Sequence, residues 1–176
     1  MPRAPWPVGL VFGISLAIVI TLLGPLLLFN PWFTTLLQER HGVADAFGVS
    51  QTAVTEATGR MLWDIVTDGP FDTGFPGEPP LLDERERSHM ADVSRLVQVL
   101  IGVTVLALVL AGVTAAWLRR EPRRQGRIMI LAAGAIGLVA VVLAAAFALA
   151  FDQAFTAFHA VFFPPGTWQF ATGSNL

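Results

Sequence analysis

The sequence of 176 residues has no cysteine, no lysine and no tyrosine, and it is poor in charge. Without cysteine, the chain cannot contain a disulfide, a thiolate metal ligand, a cysteine nucleophile or an acylated cysteine. Only 14% of the residues are charged and 54% are hydrophobic, whereas a soluble domain is typically about 25% charged. The composition therefore excludes a disordered chain, argues against an ordinary soluble fold and indicates a membrane protein.

A basic surface is also missing from the chain as a whole. The formal net charge is −2, so there is no general positive field to attract nucleic acid. The sequence contains no glycine-rich phosphate loop, no nucleophile elbow and no nucleic-acid-binding motif. We therefore expect no nucleic-acid partner.

Three long stretches carry no charge, and they cover residues 8–29, 96–118 and 128–151. About 20 apolar residues in a helix cross the ~30 Å hydrocarbon core of a bilayer. The first stretch is longer than the apolar core of a signal peptide, which is about 7–15 residues, and no clear cleavage site follows it. The sequence predicts an all-α, polytopic membrane helical bundle with three spans, forming a single domain over residues 1–176.

The arginines predict how these spans are oriented. Five of the eleven basic residues lie in one short hairpin, residues 119–127, and basic hairpins stay in the cytoplasm. The loop of residues 30–92 then lies outside the cell; it holds eleven acidic residues and four arginines. The segment of residues 152–176 is expected on the same outer side.

The outer segments show helical patterns of their own. Apolar residues recur at helical spacing over residues 51–68, which predicts an amphipathic helix at the membrane surface. A proline- and glycine-rich loop follows over residues 68–80. Asp83 is a good N-cap, so we expect a helix to begin there and to continue into the second span. Four phenylalanines at helical spacing between residues 151 and 162 predict a further helix that ends before Pro164.

The histidines are the candidates for chemistry. His89 precedes the second span and His159 follows the third, so the topology places both on the outer side at similar depth. Asp92 lies three residues after His89 on the same helix face, where a carboxylate can orient an imidazole and stabilise its protonated form. Asp152 is too far from His159 to bond to it, and His41 is expected to be solvated.

Other interpretations of these histidines remain open at this stage. Each could be a polar anchor at the membrane interface. His89, Asp92 and His159 could instead hold a catalytic zinc, but no closely spaced ligand pair supports this, so we expect no metal. The chain could also be a non-enzymatic membrane protein that binds a lipid or a protein partner. If the two histidines lie within about 8 Å of each other around a lipid-open groove, catalysis is favoured; if they face apart, the binding function is favoured.

Two motifs resemble a known family. One is ERERSHMADV at residues 84–93, and the other runs from Phe158-His159 through FPxGTWxF to Phe170. Together with the outer loop and the basic hairpin, they are similar to the bacterial lipoprotein intramolecular transacylases, which are small integral membrane proteins. The resemblance extends from the first span to Leu176. Members of that family usually continue into a fourth span, whereas three are predicted here; a truncated sequence, a fragment and a short paralogue all remain open.

The resemblance implies an acyl transfer without a cofactor. The family moves the sn-2 acyl chain of a diacylglyceryl lipoprotein to the α-amino group of its N-terminal cysteine, giving a lyso-form lipoprotein. The implied partners are the diacylated lipoprotein and membrane lipid, and the implied place is the outer face of the bacterial cytoplasmic membrane.

The resemblance also places the two family histidines on His89 and His159. One would be the general acid or base, and the other would assist or become transiently acylated; Asp92 would orient His89. Substrate contacts are expected from a set of residues near the second motif: Phe163, Gly166, Thr167 and Trp168. Backbone N–H groups of the turn at residues 166–168 are expected to face the oxyanion.

Overall fold

The computed structural model describes residues 4–28 and 30–170, and this part of the chain is almost entirely helical. The helices are α1 (Trp6–Leu28), α2 (Pro31–Arg40), α3 (Val43–Phe47), α4 (Gln51–Thr67), α5 (Glu84–Leu118), α6 (Pro122–Leu149) and α7 (Phe151–Phe162). The only β pairing in the described ranges is an isolated antiparallel bridge between Gly74 and Pro80. The predicted all-α class is confirmed.

Three helices are long and apolar enough to cross a membrane. They are α1, α5 and α6, with mean hydropathies of 2.3, 2.6 and 2.7, and they confirm the three predicted spans. The helix α5 begins well before its uncharged run of residues 96–118, so its first turns are charged and precede the membrane-spanning part. Ala150 separates α6 from α7. The predicted sidedness and the single domain stay predictions.

The start of α5 follows from a reciprocal cap. The backbone N–H of Glu86 donates to Asp83 Oδ1 at 2.8 Å, and the backbone N–H of Asp83 donates to Glu86 Oε2 at 2.7 Å. Two backbone donors that the helix leaves unpaired are thereby satisfied. The prediction that a helix begins at Asp83 is confirmed, and this start fixes the position of everything that follows on α5.

The loop of residues 30–92 contains more helices than the spacing of its apolar residues predicts. The predicted amphipathic helix is present as α4, whose N-cap Ser50 accepts from the backbone N–H of Ala53. The helices α2 and α3 were not predicted. The start of α2 is signalled by Asn30, whose side chain accepts from Trp32 N, followed by proline at the first helical position.

The described residues form two compact units. One contains the residues up to Pro25 together with Leu100–Thr156, and the other contains Leu26–Val99 with the residues from Ala157 onward. In the first unit, Arg124 donates to the carbonyl oxygens of Ala4 at 2.7 Å and Pro5 at 3.2 Å. These bonds attach the start of the α6 helix to the N-terminal segment.

The second unit contains both candidate histidines. Its α4 and α5 are joined by the hydroxyl of Ser94, which is fully buried and donates to Ile65 O at 2.8 Å. After α4 the chain turns back through a loop in which Asp64 Oδ2 accepts from Phe71 N at 3.0 Å. The first turns of α5 are therefore held against the outer loop.

Candidate functional site

His89 and His159 lie beside each other in the second unit. Their ring centroids are 6.0 Å apart, and the ring planes are inclined by 31°. Span counting and charge alone predict this proximity, and the structure confirms it. The separation is below the distance of about 8 Å that is expected for a catalytic pair, and the lipid-open groove expected around the two rings stays a prediction.

Each histidine is positioned by its helix. His89 is in the second turn of α5, just after the Asp83 cap, and only 7% of it is exposed. His159 is in the last turn of α7 and is half-buried; its carbonyl oxygen accepts from Phe163 N at 2.8 Å where that helix ends. The two imidazoles thus come from a helix start and a helix end.

Aromatic side chains surround both imidazoles. Phe163 contacts both rings, with centroids 4.8 Å from His89 and 5.4 Å from His159. Trp168 lies 4.9 Å from His159, and Phe170 lies 5.6 Å from His89. Phe170 was not predicted as a site residue, although it closes the second motif. The result is a polar pair in an apolar surrounding, which is the usual composition of a small-molecule site.

The imidazole of His89 has an unused ring nitrogen. Its Nδ1 is buried, and it has no hydrogen-bond partner in the described part of the chain. Burial lowers the pKa of His89, the neighbouring His159 lowers it further, and Asp92 partly offsets this by raising it. His89 precedes the membrane-spanning part of α5. A histidine with a lowered pKa is neutral at neutral pH, so it can accept a proton.

The carboxylate of Asp92 has a closer partner than His89. Its Oδ1 accepts from Arg95 Nη1 at 2.9 Å, whereas Nδ1 of His89 has no partner among the residues that the structure describes. In this arrangement Asp92 affects His89 through its charge and not through a hydrogen bond. Its role as the residue that orients His89 stays a prediction.

The turn after α7 is held internally and by α5. Thr167 donates to Pro164 O through its backbone N–H at 3.3 Å and through its hydroxyl at 2.9 Å. Its N–H is therefore used within the turn, and the expected contact of this turn with an oxyanion stays a prediction. Gly166 has a φ of 83°, and Arg85 Nη2 donates to its carbonyl oxygen at 3.3 Å. The sequence analysis did not identify Arg85 as a site residue.

The other polar candidates named from the sequence are exposed. His41 is the C-cap residue of α2 and is exposed, and Asp152 is exposed in the first turn of α7. Within residues 4–28 and 30–170, no group of three or more His, Cys, Asp or Glu side chains is placed to hold a metal ion.

Comparisons with known proteins agree with this geometry. The family described as lipoprotein intramolecular transacylase Lit matches residues 8–175. An in meso structure of the membrane integral lipoprotein intramolecular transacylase Lit from Bacillus cereus aligns with a TM-score of 0.75 at 15% identity, covering 95% of this chain and 76% of that one. A second structure of that protein, carrying a histidine-to-arginine mutation, aligns with a TM-score of 0.75 at 14% identity, covering 95% and 73%. No curated protein matches the sequence. At these identities the two structures show the shared fold.

Proposed function

Because this chain belongs to the lipoprotein intramolecular transacylase family, we propose that it moves the sn-2 acyl chain of a diacylglyceryl lipoprotein to the α-amino group of the same lipoprotein's N-terminal cysteine. Because it is a member of this family, the chain is a membrane acyltransferase. What we propose beyond this is the position of the transferred acyl chain and the amine that accepts it. The observation that carries it is the pair of imidazoles, whose ring centroids are 6.0 Å apart; one of them has a buried nitrogen without a hydrogen-bond partner in residues 4–28 and 30–170.

The reaction is an aminolysis of an ester. The amine attacks the carbonyl carbon of the sn-2 ester, which forms a C–N bond. The C–O bond to the glycerol then breaks, and its electron pair stays on the glycerol oxygen. The proton that the amine loses is passed to this oxygen, so no proton is gained or lost overall. The product has an N-acyl amide and a free sn-2 hydroxyl group.

The two histidines suit the two ends of this proton transfer. An α-amino group has a pKa of about 8, so a substantial fraction is neutral at neutral pH and a nearby imidazole is a sufficient base. We assign His89 as the base because burial lowers its pKa and keeps it neutral, and because its Nδ1 has no partner among the described residues. His159, which is more exposed, delivers the proton to the leaving oxygen.

The substrate itself supplies much of the rate. Amine and ester are parts of one molecule, so the enzyme only has to fold them together, and well-oriented intramolecular reactions gain several orders of magnitude in effective concentration. Phe163 and Trp168, which flank the histidines, provide an apolar contact for the acyl chains. Excluding water from this contact also protects the ester from hydrolysis.

The outer face of the membrane is the proposed place of the reaction. The basic hairpin of residues 119–127 supports a cytoplasmic position for that end of the spans. The hairpin follows α5 and begins α6. His89 instead precedes the uncharged run of α5, and His159 follows α6, near the end of α7. Diacylated lipoproteins would meet the site from the outer leaflet.

The test uses the purified protein and a synthetic diacylated lipopeptide with two different acyl chains. Because the transfer is intramolecular, substrate and product have the same mass, and fragmentation in tandem mass spectrometry must locate each chain. We expect the sn-2 chain on the cysteine nitrogen with wild-type protein and not with His89→Ala. Transfer of the sn-1 chain, or no transfer at all, would contradict the proposed reaction.

A further inference from the structure

A short segment after α7 covers the two histidines, and we call residues 163–170 the covering segment. Its first residue, Phe163, is 7% exposed and contacts both imidazoles. Its last residue, Phe170, contacts His89, and Trp168 contacts His159. The segment thus reaches the histidines at both ends. Its middle, around Gly166, has no ring contact with either histidine among the described residues and needs another attachment.

Arg85 supplies that attachment. It lies on α5 one turn before His89, so both side chains are on the same face of the helix. Its Nη2 donates to the carbonyl oxygens of Gly166 and Gln169, each at 3.3 Å. One nitrogen thereby bridges the two sides of the turn.

We propose that Arg85 is a positioning residue that fastens the covering segment over His89 and His159. The expected effect on kcat rests on the proposed function, whereas the expected effect on the accessibility of His89 does not. Both acceptors are main-chain oxygens, so the fastening does not depend on the side chains at residues 166 and 169. When these bonds are lost, the middle of the segment loses its attachment to α5, and His89 becomes more accessible from outside.

Arginine is suited to this role because of its shape. A guanidinium nitrogen directs two N–H groups in one plane, whereas the ammonium of lysine is a compact charge on a stem of different length. Arg85→Lys should therefore keep the charge and lose part of the fastening. A matched control is Arg87 on the same helix, since its Nε donates to Asp83 O at 3.4 Å within its own first turn. Among the described contacts, Arg87 makes none to the covering segment.

The direct experiment measures the accessibility of His89 in the full-length protein in detergent. Diethyl pyrocarbonate acylates neutral imidazoles, and peptide mass spectrometry gives a rate for each histidine. The exposed His41 is the internal reference. We expect His89 to react about fivefold faster in Arg85→Gln than in wild type, because the two bonds are long and exposed, and losing one ordinary hydrogen bond shifts the open population by about this factor. Arg85→Lys should give a smaller increase, and Arg87→Gln none.

Kinetics provide the second measurement. In the transacylation assay, Arg85→Gln should lower kcat by about tenfold or more with little change in KM, because misplaced catalytic groups slow the chemical step. Arg85→Lys should be intermediate. A graded decrease of kcat from wild type through Arg85→Lys to Arg85→Gln separates a positioning role from a loss of fold, since circular dichroism would detect unfolding as lost helix. If Arg85→Gln fails to fold, the acylation rate and the kcat of Arg85→Lys test the proposal instead.

The two proposals fail separately. Equal rates of His89 acylation in wild type and in the Arg85 variants would overturn the positioning role, whatever the activity. An increase in Arg87→Gln as large as in Arg85→Gln would also overturn it, since a general effect of charge would then explain both. A wild-type protein without transacylation would overturn the proposed function, while the acylation rates would still decide the role of Arg85.

Discussion

The imidazole of His89 lies 6.0 Å from that of His159, although seventy residues separate them along the chain. One ring is almost fully buried and the other is half-buried, so their environments differ although they are neighbours. Neighbouring titratable groups in different environments are suited to separate acid and base roles. The pair is also close enough for both rings to act on one reacting group.

Replacing either histidine by alanine should abolish most of the transacylation. The loss of a general acid or base typically costs 10²–10⁴-fold, and we expect a decrease of about that size for His89→Ala and for His159→Ala. Both residues are on helices with many other contacts, so circular dichroism should be unchanged. A lipoprotein mobility assay checks the activity, with His41→Ala as the control. Full activity of both variants would remove the pair from the mechanism.

The charge of Asp92 should be visible in the pH dependence. Asp92 raises the pKa of His89, so Asp92→Asn lowers that pKa further. If neutral His89 is the base, the rising limb of the pH–rate profile then moves to lower pH. We also expect a lower rate, but more activity than after loss of His89.

The control for this prediction is Arg95→Gln. Arg95 pairs with Asp92 at 2.9 Å, and removing it leaves the carboxylate's charge less compensated and takes away a nearby cation. Both effects raise the pKa of His89, so the limb should move to higher pH. Profiles of kcat/KM for the two variants that move in the same direction would contradict this assignment.

The sequence was sufficient to predict that the two histidines lie close together, because this prediction needs only the positions of the spans and of the charged residues. Counting uncharged runs and arginines predicts that His89 comes before the second span and His159 after the third, on the same side of the membrane. The start of α5 was equally predictable, since Asp83 and Glu86 form a capping box at the required spacing. These features depend on local chemistry and on the bilayer, and both can be inferred from one sequence.

Other parts of the site depend on tertiary contacts, which cannot be predicted from the spacing of residues along the sequence. The bonds from Arg85 to Gly166 O and Gln169 O join backbone atoms more than eighty residues away, and no residue type marks a carbonyl oxygen as an acceptor. The preference of Asp92 for Arg95 over His89 is decided by rotamers, since both partners are three residues away along the helix. The short helices α2 and α3 were missed because they lack a strong apolar period.

The orientation of the spans can be tested cleanly because the sequence contains no cysteine. We expect a cysteine introduced at Pro122, in the basic hairpin, to be protected from a membrane-impermeant maleimide in intact cells. A cysteine introduced at the exposed Asp72 should react. Lysis should make both reactive. Labelling of residue 122 in intact cells would reverse the topology and move the histidines to the cytoplasmic side.

Removing the hydroxyl of Ser94 should destabilise the protein without changing the chemistry. Ser94 is fully buried and donates to Ile65 O at 2.8 Å, near the end of α4. Carbonyl groups in the last turn of a helix have no partner within the helix, so Ser94→Ala leaves a buried acceptor unsatisfied. We expect a loss of about 1–2 kcal/mol, measured as a lower Tm in detergent. The exposed Ser88→Ala is the control; an equal Tm for both would show that this bond does not matter.

The turn at Gly166 should be more important for activity than for stability. Gly166 has a φ of 83°, and apart from its two chain neighbours no heavy atom of the described residues lies within 4 Å of the place where a Cβ would be. The cost of Gly166→Ala is therefore backbone strain, roughly 1–2 kcal/mol, and the turn can relieve it by changing its conformation. Such a change would withdraw the carbonyl that Arg85 binds and shift Trp168 from His159. We expect a severalfold lower kcat with only a small decrease in Tm.

Gly59→Ala is the matched substitution, since Gly59 also has open space around it but lies inside α4. There alanine should stabilise by roughly 0.5–1 kcal/mol and leave kcat unchanged. If the two variants had the same kcat, the geometry of the turn would have no part in the reaction.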